Sequence, residues 1–170
     1  QWGGRNKSKR LESAVKKYAL EHKLELLQPA KLNQSSFLHR IRELNPDVIV
    51  VVAFRKLPKL LWSIPRLGTI NLHASLLPAY RGSAPINHAV IQGEKVTGMT
   101  TFLIDDRIDT GNILLQREIS IADDDTAGDL YERMMKLSGD LMLRTLKGME
   151  ENNLTPRSQD DSLASPAPKV

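Results

Sequence analysis

With 170 residues, 41% of them hydrophobic, the chain is one domain's worth and long enough to bury a core. It contains no cysteine, which excludes disulfides and Cys-ligated metal, and no apolar run near the roughly eighteen residues of a membrane-spanning helix. The net charge of +4 is uneven: residues 1–23 hold seven basic groups against two acidic ones, and the remainder is close to neutral. Basic segments of this kind often meet phosphates, although charge alone more commonly marks a solvated helix face and a flexible arm. The lack of cysteine is compatible with a reducing, cytoplasmic setting, and no signal peptide can be read, though the chain opens on Gln1.

Residues 3–10 are glycine-led, polar and basic, and read as a loop. From Leu11 the apolar positions Leu11, Ala14, Val15, Tyr18 and Ala19 recur with helical period, which predicts a helix to about His22. Residues 24–27 are a short strand candidate ended by Gln28-Pro29. Ser35 or Ser36 can cap a second helix that buries Phe37, Leu38, Ile41 and Leu44 and stops at Asn45-Pro46. Residues 47–54, rich in valine, have the unbroken apolar character of a central parallel strand buried on both faces. This rhythm predicts an α/β fold, a doubly wound, mostly parallel sheet with helices on both sides.

A short helix near residues 58–62 leads to a strand over 69–73, and Pro85 suits the first turn of a helix closed by Gly93. Residues 97–104 and 113–121 are strand candidates, and Thr126 with Asp129 forms a capping-box signature for the last helix. Beyond Glu151 the composition turns to Asn, Ser, Asp and Pro, as in a linker or terminal tail.

The chemistry-bearing stretch is 68–82. Alternation along the strand sends Asn71 and His73 to one face, next to a proline- and glycine-punctuated loop. Loops at the carboxyl ends of strands are where open α/β sheets build sites. His22, His39 and His88 fall on helix faces without a second ligand at helical spacing and read as surface or packing residues. The acidic loop ending Asp109-Thr110-Gly111 can supply a carboxylate to orient an imidazole; by pattern alone a plain acidic turn is the commoner case. No phosphate-cradling glycine loop, nucleophile elbow or clustered metal-ligand motif is present.

Taken together, Asn71-Leu72-His73, Ser75-Leu76-Leu77-Pro78, Tyr80-Arg81-Gly82, Ala84-Pro85-Ile86, Thr97-Gly98-Met99-Thr100 and Asp109-Thr110-Gly111 resemble the folate-dependent formyltransferase superfamily. Flanking support comes from Gly4-Arg5-Asn6-Lys7, Leu27-Gln28-Pro29 and Pro65-Arg66-Leu67-Gly68. The resemblance covers about residues 3–151. It implies a Rossmann-like fold and a catalytic trio of Asn71, His73 and Asp109.

The implied reaction moves a formyl group from 10-formyltetrahydrofolate, without metal, to an amine. The branch most resembled acts on methionine esterified to initiator tRNA; sister enzymes take an amino sugar or a purine-pathway amine. A non-catalytic nucleic-acid-binding fragment and a hydrolase of formyl-folate are the readings from other classes. By resemblance, Arg55 and Leu57, with Asp106, Arg107 and Ile108 opposite, wall the pterin pocket. Arg5 belongs to the loop that meets the tRNA acceptor end, and Ser75, Leu76, Leu77, Pro78, Tyr80, Arg81 and Gly82 border the substrate. The resemblance further implies a cytoplasmic monomer at full length and a catalytic domain over 1–151. A first strand would precede Gln1, and residues 152–170 would form a linker toward a small C-terminal β-barrel domain.

Overall fold

The computed structural model describes residues 12–53 and 55–170. The basic loop with Arg5, the expected helix start at Leu11 and the end of the valine run at Phe54 lie outside the described residues.

Helices are α1 (Ala14–Glu21), α2 (Ser35–Leu44), α3 (Lys59–Trp62), α4 (Pro85–Ile91) and α5 (Ala127–Glu150). Strands are β1 (Ile49–Val52), β2 (Thr69–His73), β3 (Arg81–Gly82), β4 (Val96–Leu103), β5 (Ile113–Ser120) and β6 (Pro166–Ala167). Local chemistry sets most ends. Ser13 caps α1 by accepting from the Lys16 N–H, and Asn45 ends α2 in the left-handed region at φ 44°. The expected serine cap of α2 is not made, because Ser35 is already inside the helix and Gln34 precedes it without a side-chain bond. Pro85 opens α4, where its missing N–H costs nothing.

At α5 the capping box is complete: the Thr126 side chain accepts from the Asp129 N–H, and the Asp129 carboxylate accepts from the Thr126 N–H. Thr126→Ala is expected to destabilise the protein by about 1 kcal/mol, read as a lower urea midpoint at unchanged slope.

The main sheet has the order β1-β2-β4-β5. β1 and β2 are parallel, whereas β2–β4 and β4–β5 are antiparallel, so the sheet is mixed rather than mostly parallel. Apolar patterning reports burial and carries no direction, and the loop joining β4 to β5 is shorter than a parallel crossover needs. Register partners Val51, Asn71 and Phe102 share one face, toward α2 and α3; Val52, Leu72 and Thr101 share the other, toward α5.

Two expectations fail at the β1 side. Val50 and Val52 are 40% and 57% exposed, so only the Val51 face of β1 is buried. Residues 24–27 form no strand, since no strand among the described residues pairs with them, and Leu24 stays 55% exposed.

Met99, Ile119, Leu130, Met134 and Leu141 form the core between β4, β5 and α5. Leu38, Val51, Leu57 and Leu61 form a second cluster, and Leu77, Phe102 and Ile113 a third beside the site. Beyond α5 the chain turns back. The Arg157 N–H donates to the Ile113 carbonyl at 2.9 Å, and β6 pairs in parallel with β3.

Candidate active site

β2 delivers Asn71 and His73 to the same face at its carboxyl end, as strand alternation dictates. Asp109 arrives from the β4–β5 loop, held at φ 55°, a left-handed conformation that aspartate tolerates better than most residues. The fold thus joins residues far apart in sequence: His73 Nδ1 lies 3.8 Å from Asp109 Oδ2, with side chains only 7% and 11% exposed. That separation is too long for a direct hydrogen bond.

The remaining partners fix the two groups. The His73 Nε2–H donates to the Tyr80 carbonyl at 2.8 Å, and a carbonyl only accepts, so this nitrogen carries a proton. Nδ1 is therefore the nitrogen at which a second proton is gained or lost. The Gly82 N–H donates to Asp109 Oδ2 at 2.9 Å, and Phe102 stands edge-on to the imidazole at 6.5 Å between ring centres. Asn71 Oδ1 is buried without a hydrogen-bond partner among the described residues. Gly111 has a steric reason to lack a side chain: a Cβ there would collide with the Leu103 carbonyl oxygen.

Asn71, His73 and Asp109 line one cavity of about 970 Å³ at the carboxyl ends of β1 and β2. Arg55, Leu57, Arg107 and Ile108 are in its wall. Asp106 is not; it lines an adjoining recess, where Lys59 pairs with its carboxylate at 3.1 Å. From the 75–82 loop, Arg81 and Gly82 reach the cavity, but the preceding residues do not. Ser75 is fully buried and spends its hydroxyl on the Ala79 carbonyl, and Leu77 is packed against Phe102 and Ile113. Leu76 and Pro78 are likewise absent from the wall. These four support the loop rather than the cavity surface.

Tyr80 contributes its carbonyl to His73 and its hydroxyl to Glu94. Burial, with the bond to Glu94 adding, pushes its phenol up to about 12.

The residues missed by sequence reasoning lie mainly after α5. Gln159 donates to the carbonyls of Asp109 and Gly111 at 2.9 and 2.8 Å and accepts from Arg81. Asp161 pairs with Arg81 at 2.8 Å and Arg107 at 3.4 Å. Polar composition had marked this segment as linker-like; its partners are 78 and 54 residues away, beyond the reach of any local signal. Tyr131, Met134 and Met135 of α5 also face the cavity.

The hydrogen bond from Arg81, reinforced by charge from Arg81 and Arg107, holds the Asp161 carboxyl below the ordinary aspartate value of 3.8. A depressed carboxyl stabilises the fold above its unfolded value and loses that contribution as pH falls through its folded value. Acidification from pH 6 to well below 3.8 is therefore expected to loosen the Asp161 contact, seen as selective shifts of the Arg81 and Asp161 amide resonances before global unfolding.

Among the described residues no His, Asp and Glu side chains cluster as a metal site, and no helix is long and apolar enough to cross a membrane.

Residues 1–146 match the family model described as formyl transferase. The chain is 51% identical over 150 residues to the methionyl-tRNA formyltransferase of Flavobacterium psychrophilum, covering 88% of this chain and 48% of that one. It is 48% identical over 162 residues to the enzyme of the same name from Bacteroides thetaiotaomicron, covering 93% and 50%. The chain thus spans about half the length of these relatives. Among solved structures it is similar in fold to glycinamide ribonucleotide transformylase 1 from Symbiobacterium toebii, with a TM-score of 0.76, 21% identity, and coverage of 89% and 77%. It is also similar to the N-formyltransferase from Helicobacter canadensis in complex with folinic acid and dTDP-3-aminofucose, with a TM-score of 0.74, 22% identity, and coverage of 94% and 56%.

Proposed function

This chain belongs to the formyl transferase family, and from that premise we propose that it carries the catalytic centre of a methionyl-tRNA formyltransferase. It would move a formyl group from 10-formyltetrahydrofolate to the α-amino group of methionine on initiator tRNA, in the cytoplasm. The observation that carries the reading is the convergence of Asn71, His73 and Asp109, from a strand end and a distant loop, on one cavity. The choice of acceptor rests on the names of relatives close to half identical in sequence.

In the reaction the amine nitrogen bonds to the formyl carbon, giving a tetrahedral oxyanion. The bond to the folate nitrogen then breaks; the amine loses a proton and the folate nitrogen gains one. The Asn71 side-chain NH₂ can donate to the oxyanion. His73 holds one proton fast against Tyr80 and exchanges the other at Nδ1, the side facing Asp109. Asp109, anchored by the Gly82 N–H, orients the ring and offsets its positive charge whenever Nδ1 is protonated. Arg55, Leu57, Arg107 and Ile108 supply the wall that would receive the folate's ring system. Residues 1–151 would form the body of the catalytic domain, and 152–170, expected as a linker, would complete its site from outside.

The second reading, a sugar or purine-pathway formyltransferase, is favoured by the names of the fold neighbours. The deciding assay gives the full-length protein 10-formyltetrahydrofolate with methionyl initiator tRNA, an amino sugar nucleotide or glycinamide ribonucleotide. Transfer to the tRNA is expected; transfer only to a small amine would replace the acceptor, and transfer to none would end the enzymatic reading.

A further inference from the structure

We infer that Gln159 is a positioning residue for the catalytic loop, an inference that rests on the formyl-transfer reading above. Its side chain makes four bonds and has none left over. The amide NH₂ donates to the carbonyls of Asp109 and Gly111, at 2.9 and 2.8 Å, which bracket Thr110. The amide oxygen accepts from Arg81 Nε and Nη2, at 3.0 and 2.7 Å. The residue after Arg81 is Gly82, whose N–H holds the Asp109 carboxylate at 2.9 Å.

One side chain therefore spans both walls of the site, joining the main chain of the Asp109 loop to the residue beside its carboxylate's anchor. The positive φ at Asp109 is what this arrangement must hold, because that conformation is sparsely populated without external bonds. Gln159 is itself tethered on both sides, by the Arg157–Ile113 bridge before it and the β3–β6 pairing after it. It touches no reacting atom; it acts by fixing where the Asp109 carboxylate lies relative to His73.

Gln159→Glu tests this. It preserves size and an acceptor for Arg81 but aims a carboxylate oxygen at two carbonyl oxygens, so the Asp109–Gly111 side of the clamp is lost. In the full-length protein we expect kcat for formyl transfer to fall about tenfold with KM for the formyl donor within twofold. Gln159→Ala should behave alike, and Arg81 should then remain held by Asp161. A purely structural residue would lower the melting temperature and leave kcat of the folded protein unchanged. An independent readout needs no turnover. Exchange of the Gly82 amide with solvent deuterium should quicken at least tenfold in both variants, while amides in β4 and β5 keep their protection. If kcat and Gly82 exchange both stay within twofold of the parent, the positioning role is overturned. If the parent transfers no formyl group yet Gly82 exchange quickens in the variants, the clamp stands and the formyl-transfer reading falls.

Discussion

Asp109→Asn is expected to cut kcat for formyl transfer by about 10²–10⁴-fold while leaving the circular dichroism spectrum unchanged. The substitution conserves volume, and an amide oxygen can still accept the Gly82 N–H that the carboxylate accepts now. What disappears is the negative charge 3.8 Å from His73 Nδ1. Because Nε2 is committed to the Tyr80 carbonyl, no second ring position can substitute for Nδ1 in proton exchange. The loss should therefore fall on kcat, with donor KM little changed, since Asp109 is one residue in a wall of many. Activity within twofold of the parent would remove Asp109 from the catalytic group.

Phe102→Ala should produce the largest stability loss, about 3–5 kcal/mol, or roughly 6–20 °C in melting temperature. Phe102 is 2% exposed, sits near the carboxyl end of β4, and packs with Leu77 and Ile113. Truncation opens a void under the 75–82 loop and withdraws the aromatic edge from His73. Phe102→Leu refills most of that volume and should cost much less, so the difference between the two variants isolates the cavity contribution. Urea denaturation of both proteins measures it; a Phe102→Ala cost below about 1 kcal/mol would mean that the site collapses freely.

Elements written in local chemistry could be read from the sequence to the residue or nearly so. Thr69–His73 is the strand expected from its alternation, Pro85 opens α4, and the Thr126–Asp129 box opens α5. The pairing of Asn71 with His73 on one face is equally local, a consequence of period-two geometry. What depended on neighbours could not be read. Val50 and Val52 are as apolar as Val51, and their exposure follows from what lies over β1, which their own identity does not encode. The antiparallel course of β4 leaves no trace in its composition. Ser75 and Leu77 stand in the same loop as Arg81, yet the turn of that loop buries the first two and aims the third into the cavity. Gln159 and Asp161 were the hardest, because a polar, proline-bearing segment looks unstructured until the carbonyls and guanidinium groups that it satisfies are known.

The return of the chain across the site also sets an order of events during synthesis. Asp109 leaves the ribosome some 50 residues ahead of Gln159, a delay of roughly three to ten seconds at about 5–20 residues per second. Once Ser120 has followed, well before Gln159 arrives, β2, β4 and β5 can already pair. The nascent protein would thus hold a folded sheet and a loop with two backbone carbonyls still waiting for the Gln159 side chain. The working geometry closes only when the later segment arrives.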